Sequence, residues 1–239
     1  MATTTYFKLF DNVKLLNRLS YLIVICAIFI FIFSSLYYLV QNKFKIDKIY
    51  IEGDLSHVTY NQLMYVAKNR LHGTFFTLDI DELRTQFRQI PWVKDVIVTR
   101  DFPHSVTVKL TEYDAVARYG NSGLISSKGA VFSGATASSD LPIFHAPLDG
   151  VKQLVKDYDA LTQFDKKYNL NLVELDGQTP GLVKAKYANG LKLTICGQDI
   201  TPKVNFLENN FEKIYQINPK LDSINMCYKN AIAINGLHP

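Results

Sequence analysis

Local signatures of catalysis and nucleotide binding are missing from this chain of 239 residues. It carries no P-loop, no dinucleotide fingerprint and no Gly-x-Ser-x-Gly elbow, which removes the commonest short-range routes to phosphate, nicotinamide and acyl chemistry. The five histidines, His57, His72, His104, His145 and His238, stand at no metal-ligand spacing, and no Cys-x-x-Cys pair exists. Lysines are scattered and nowhere interleaved with aromatic side chains, so a net charge of +4 does not describe a nucleic-acid surface. Asp79, Asp81 and Glu82 form the one acidic cluster that suggests a carboxylate site. Helix-cap and first-turn duty explains them better, because helix N-termini stabilise anions. The expectation is a non-enzyme with no cofactor, no metal site, no small-molecule substrate and no nucleic-acid partner. The rival is a membrane-tethered periplasmic enzyme or ligand sensor whose site is assembled from distant residues.

Cysteine is scarce, at three residues. Cys26 lies in the longest apolar run, which leaves Cys196 and Cys227 outside it. Those two can pair in an oxidising compartment if their Cα atoms come within about 7 Å. Two buried free thiols is the reading favoured from sequence.

Apolar residues, by contrast, are plentiful: 48% of the chain is hydrophobic and 13% aromatic, against 20% charged, which suits packed domains and excludes a disordered or collagen-like chain. Tyr21 to Val40 is an uncharged run of twenty residues, interrupted only by Ser34 and Ser35. At about 1.5 Å per residue such a helix spans the roughly 30 Å hydrocarbon core of a bilayer. Tyr21, Tyr37 and Tyr38 stand near its ends, where amphipathic rings favour the interface. A cleaved signal peptide has a shorter core and a small-residue cleavage site, so the run reads as a retained single-pass anchor. Lys8, Lys14 and Arg18 precede it and Lys43, Lys45 and Lys48 follow. The positive-inside count is therefore tied, and it permits a cytoplasmic tail without requiring one.

Beyond a short linker, residues 41–45, the run Ile46 to Gly53 is strand-like. Thr59 and Gln62 have capping-box spacing, and Leu63, Val66, Ala67 and Leu71 mark one face of a helix that His72-Gly73 ends. Asp79 and Glu82 start a second helix, with Leu83, Phe87 and Ile90 inward and Pro91 as its stop. Trp92 to Arg100 and Ser105 to Thr111 follow as strands, the second alternating with Val106, Val108 and Leu110 on one face. Trp92 is expected in the core.

This β-α-α-β-β order carries specific short blocks. They are Ile49-Tyr50-Ile51-Glu52-Gly53, Gly73-Thr74-Phe75-Phe76, and Ile90-Pro91-Trp92-Val93-Lys94-Asp95-Val96. Arg100-Asp101-Phe102-Pro103 and Val108-Lys109-Leu110-Thr111-Glu112-Tyr113 extend the set. Together they resemble a POTRA domain, and in particular that of the bacterial FtsQ/DivIB cell-division family. The expected organisation is a tail over 1–20, a transmembrane helix over 21–40, the linker, a POTRA domain over 46–113 and a C-terminal β domain over 114–239. The fold class is accordingly α+β: an N-terminal transmembrane helix, a POTRA-like β-α-α-β-β domain, then a mainly β domain with a terminal edge strand and flanking helices.

In the second unit, Gly120 to Gly123 and Ser126 to Gly129 are turn signals, and Leu124 to Phe132 resembles the family's hairpin leading into its second domain. Ser133 to Asp140 reads as a flexible loop. Val151, Leu154, Val155, Tyr158 and Leu161 are spaced for a helix, and Leu170 to Leu175 and Leu182 to Ala188 are strand-like. Asn189-Gly190 predicts a type I′ hairpin turn into Leu191, Leu193 and Ile195. Thr201 caps a helix begun by Pro202, with Val204, Leu207, Phe211, Ile214 and Tyr215 inward. Ile224, Met226, Tyr228, Ile232 and Ile234 share one parity, broken at Asn230, and predict a single terminal strand with a free backbone edge. Periodicity alone makes it an ordinary half-buried strand.

The resemblance implies more. In the FtsQ family this region docks the partner FtsB, itself paired with FtsL, and a tyrosine stands where Tyr228 does here. It implies a partner-binding surface of Tyr228, Lys229, Asn230, Ala231, Ile232, Ala233 and Ile234, in a type II protein of the inner membrane. The C-terminal portion would be periplasmic and the protein concentrated at the division septum. The chain departs from the family pattern at Asn225 and Cys227, where an acidic residue and an arginine are common, and at Gly236-Leu237, where a tryptophan is.

Overall fold

The computed structural model describes residues 13–70, 73–121, 123–135, 140–229 and 231–236. Lys8, Leu71, His72, Ser122, Asn230, Leu237 and His238, and residues 136–139 of the expected loop, lie outside that set. Helix α1 runs Val13–Lys43, 31 residues with none buried, and is long and apolar enough to cross a membrane. It overruns the expected span at both ends, because nothing in the flanking Leu15–Ser20 or Gln41–Lys43 segments breaks a helix. Of the expected linker, Gln41 to Lys43 thus continue α1, while Lys45 bridges Thr74.

The chain folds into two units that interleave in sequence. The first gathers the residues up to Asp54 with Thr59–Arg88 and Asp95–Leu110; the second gathers Leu55–Val58, Gln89–Lys94 and everything from Thr111. Strands β1 (Lys48–Glu52), β2 (Val93–Asp101) and β3 (Ser105–Glu112) form a sheet in the order β1-β3-β2, with β1 parallel to β3. Two helices accompany it, α2 (Tyr60–Arg70) and α3 (Ile80–Arg88). The start signals act as expected. The Thr59 N–H donates to Gln62 Oε1 at 2.9 Å and the Gln62 N–H to Thr59 Oγ1 at 3.4 Å, the reciprocal pair of a capping box. Asp79 Oδ1 accepts the N–H groups of Asp81 and Glu82. Of the expected inward residues, Leu63, Ala67, Leu83, Phe87, Ile90, Val106, Val108 and Leu110 are buried, while Val66 is half-buried.

The second unit is built on a nine-stranded sheet in the order β12-β11-β10-β9-β8-β7-β4-β5-β6. Its strands are β4 (Ala115–Tyr119), β5 (Gly123–Ser126), β6 (Val131–Phe132), β7 (Ile143–His145), β8 (Leu172–Asp176), β9 (Leu182–Tyr187), β10 (Lys192–Cys196), β11 (Leu221–Met226) and β12 (Ala233–Gly236). β7 runs parallel to β8, and β10 parallel to β11. A parallel pair needs a crossover, which a helix normally supplies. Here α4 (Val151–Lys167) and α5 (Thr201–Ile217) supply the two. The crossover helices meet through Phe164 and Phe211, edge to face with ring centroids 5.0 Å apart, and through Lys167 on Glu208 at 3.1 Å. Their inner faces join Phe144, Leu175, Leu193, Ile195 and Ile224 in one core.

Three local expectations change. The Asn189-Gly190 hairpin forms, but of the two only Gly190 takes positive φ, at 93°. The Gly190 N–H donates to Tyr187 O, and the Tyr187 N–H to Leu191 O. That is a three-residue loop with glycine in the bulge position, not a type I′ turn. Helix α5 starts one residue early, with Ile200 at the N-cap and Asp199 Oδ1 accepting the Thr201 N–H, so Pro202 sits in the first turn. Tyr215, expected inward, is 52% exposed.

Trp92 is buried as expected, yet its φ of 75° is unusual for an aromatic residue and costs about 1–2 kcal/mol. Packing holds it there. The indole stacks on His57 with centroids 3.6 Å apart, and its Nε1 donates to Ala135 O at 3.1 Å. Glu112 accepts the N–H groups of Ser56, His57 and Val58 and faces the His57 ring. Burial pushes the Glu112 carboxyl up, but these donors together outweigh it and hold the group below the usual carboxylate range.

Candidate docking edge

The single terminal strand expected over Ile224 to Ile234 is instead a hairpin. β11 ends at Met226, the chain turns, and β12 returns antiparallel with Ile224 opposite Ile234 and Asn225 opposite Ala233. Side-chain chemistry at the turn explains the break. Asn225 Oδ1 accepts the Cys227 N–H at 2.9 Å, an Asx turn that competes with the strand ladder. Lys203 Nζ donates to Met226 O, which caps the strand end. Cys227 is bonded to Cys196, the last residue of β10, across a Cα separation of 4.6 Å. The two free thiols favoured from sequence are therefore a disulfide, because the parallel β10–β11 pair delivers both residues to the same end of the sheet.

This rearrangement redistributes the expected surface. Ala233 and Ile234 lie on β12, both exposed. Tyr228 and Lys229 stand on the turn and are exposed, Ala231 is exposed and Ile232 half-buried, and Asn230 lies outside the described residues. Parity thus fails after Met226: Ile224 and Met226 are buried, whereas Tyr228 is 56% exposed. The interruption at Asn230 was the available warning, together with a length of eleven residues where strands run to about five or six.

β12 closes one end of the nine-strand order, and among the described residues β11 is its one ladder neighbour. Its outer backbone edge can therefore accept another strand. Beside it lies a groove of about 400 Å³ between the first turn of α5 and the β11–β12 turn, lined chiefly by Pro202, Lys203, Phe206, Met226, Tyr228 and Ile232. Phe206 is 54% exposed there, a contribution from α5 that strand periodicity did not reveal. The end of β12 is seated by close approach. A Cβ on Gly236 would run into Lys220 O and the Asn218 side chain, so this position takes only glycine without displacement. The edge offers backbone pairing and an apolar notch. Among the described residues no group of three or more His, Cys, Asp or Glu is placed to hold a metal ion.

An apolar helix of membrane-crossing length, a β-α-α-β-β unit and a larger mixed sheet with an open edge define a POTRA-bearing α+β protein. A family model described as POTRA domain, FtsQ-type, matches residues 44–113, and a second, Cell division protein FtsQ/DivIB, C-terminal, matches residues 115–226. The chain belongs to the FtsQ/DivIB family of cell-division proteins. It is 23% identical to the cell division protein FtsQ of Neisseria gonorrhoeae over 228 residues, covering 95% of this chain and 94% of that one. It is 26% identical to FtsQ of Acinetobacter oleivorans, covering 92% and 79%. Against FtsQ of Burkholderia pseudomallei identity is 31%, over 63% and 61%. The C-terminal family model stops at Met226, one residue before the disulfide-held turn.

Proposed function

We propose that this protein is a non-enzymatic, single-pass scaffold of the bacterial division machinery that receives FtsB, paired with FtsL, on the outer edge of β12. The carrying observation is the open edge beside the exposed groove of Phe206 and Tyr228. Strand addition would satisfy the unpaired backbone groups, and the notch would select side chains on the incoming segment. Tyr228, Lys229, Asn230, Ala231, Ile232, Ala233 and Ile234 are the proposed contact set, now joined by Phe206. In this reading the tail (1–20) is cytoplasmic and the span (21–40) crosses the inner membrane. The POTRA domain (46–113) and the β domain (114–239) stand in the periplasm, gathered at the septum. The Cys196–Cys227 disulfide supports that side of the membrane, since such bonds persist in oxidising compartments. Anchoring confines the scaffold and its partners to one surface and so raises their effective concentration.

The test is affinity for purified FtsB–FtsL with the full-length chain. Tyr228→Asp places a charge at an exposed position and Ala233→Pro removes a strand donor. Each is expected to weaken binding at least about tenfold, roughly 1.4 kcal/mol, while circular dichroism stays native. Native affinity in both folded variants would sink the edge-docking reading.

A further inference from the structure

The passage from α1 into the first unit is direct. The Phe44 N–H donates to Val40 O at 3.1 Å, completing the last helical turn, and Phe44 O accepts the Phe75 N–H at 2.8 Å. Lys45 bridges Thr74, and the Ile46 N–H donates to Gly73 O. Around this junction four phenylalanine rings close a circuit. Phe44 meets Phe76 at 5.3 Å and Phe102 at 5.7 Å, and Phe75 meets Phe76 at 5.3 Å and Phe102 at 5.4 Å. Phe76 is 59% exposed and Phe102 68%, with Phe44 and Phe75 half-buried. A lone exposed phenylalanine needs no explanation, but a contiguous cluster of rings marks a surface that meets something other than water.

Its position along the chain says what that is. The apolar run ends at Val40, and Phe44 follows four residues later, about 6 Å further along the helix axis. A bilayer of about 40–45 Å with a hydrocarbon core of about 30 Å leaves roughly 5–8 Å of headgroup layer on each side. Phe44 therefore falls within that layer, and three ring partners are packed on it directly or through one neighbour. Lys43, Lys45 and Lys48 are exposed along the same short segment, the charge that lipid phosphates attract. The neighbouring acidic groups are engaged: Asp47 faces His104 Nδ1 at 3.3 Å, and Asp101 accepts from Thr107 Oγ1.

We propose that Phe44, Phe75, Phe76 and Phe102 form a foot that inserts into the headgroup layer of the same bilayer that α1 crosses, with Lys43, Lys45 and Lys48 on the lipid phosphates. The foot rests on α1 spanning a bilayer, and it is indifferent to which side the domain occupies. Its effect is to fix the tilt of the first unit against the membrane and to remove the two exposed rings from water.

The experiment places full-length protein in lipid nanodiscs and measures tryptophan quenching by brominated lipid. The native chain, with its one tryptophan, supplies the baseline. Phe102→Trp and Phe76→Trp add a reporter at exposed positions that tolerate the larger ring, and Ile30→Trp adds one midway along the span. The Phe102 and Phe76 variants are expected to lose most of their added emission to lipid brominated near the headgroup. The Ile30 variant is expected to lose its own to lipid brominated near the chain end. Quenching at Ile30→Trp with none at Phe76→Trp and Phe102→Trp overturns the foot and leaves the span intact. No quenching at any of the three overturns the span, and the foot with it.

Discussion

Asp165 and Tyr187 are the deepest polar pair in the larger unit. The Tyr187 hydroxyl donates to Asp165 Oδ1 at 2.7 Å, and both residues are buried. Burial pushes the Asp165 carboxyl up to about 6, only partly offset by the tyrosine donor; burial, and then the Asp165 charge, push the Tyr187 phenol up as well. Because the folded value lies above the unfolded 3.8, the folded chain keeps a proton that the unfolded chain releases. The associated stability is full below about pH 4 and is lost as pH rises through about 6. Asp165→Asn keeps an acceptor for Tyr187 without the charge. It is expected to flatten that pH dependence in thermal melts and to add on the order of 1–3 kcal/mol at pH 8. An unchanged profile would show that the carboxylate is solvated through another route. Glu112 behaves oppositely. Its carboxyl is held low, so its contribution stands above the unfolded value of 4.5 and is lost on acidification. Glu112→Ala removes the shared acceptor of three backbone donors, of which the Val58 N–H is the one least open to water, and is expected to lower stability by about 1–3 kcal/mol, read from the urea midpoint.

At the scale of elements, the β11–β12 hairpin depends on two ties. The Cys196–Cys227 bond closes a separation of 31 residues, and Cys196→Ser with Cys227→Ser is expected to cost about 2–4 kcal/mol. If the turn presents the docking surface, FtsB affinity should also fall in the folded double variant; calorimetry separates the two effects. Gly236→Val meets Lys220 O and Asn218, and should loosen β12 alone, seen as faster amide exchange there with the remaining sheet unchanged. The helices and most strands were legible because their signals are local. The Thr59–Gln62 capping box, the Asp79 cap and the alternation of Val106, Val108 and Leu110 act within a few residues. The hairpin turn was legible only in part: Asn225 and Asn230 signal a break locally, but the tie that holds the turn is distant. Cys227 is drawn aside by Cys196, which only the α5 crossover brings alongside. The proposed docking set was equally out of reach of periodicity. The strand pattern made Tyr228 and Ile234 part of an ordinary half-buried row, and only the family resemblance singled them out, whereas Phe206 reaches the groove from a helix whose periodicity reports only its buried face.

Taken whole, the chain couples a membrane-length helix to two folded units, and placement governs what those units can meet. A C-terminal alkaline phosphatase fusion should be active, since the enzyme needs an oxidising compartment; activity only in a cytosolic reporter would reverse the proposed orientation. Depleting the protein should give filamentous cells with unconstricted septa, whereas normal division with a metabolic defect would favour an enzyme or sensor. One hydrogen bond from Phe75 to Phe44, the Lys45–Thr74 bridge and the Ile46 N–H on Gly73 O tie the end of the span to the first unit. Helix phase therefore becomes a compass bearing. Each residue inserted after Lys43 turns the domain by about 100° around the membrane normal, and seven bring it back to within about 20° of its first heading.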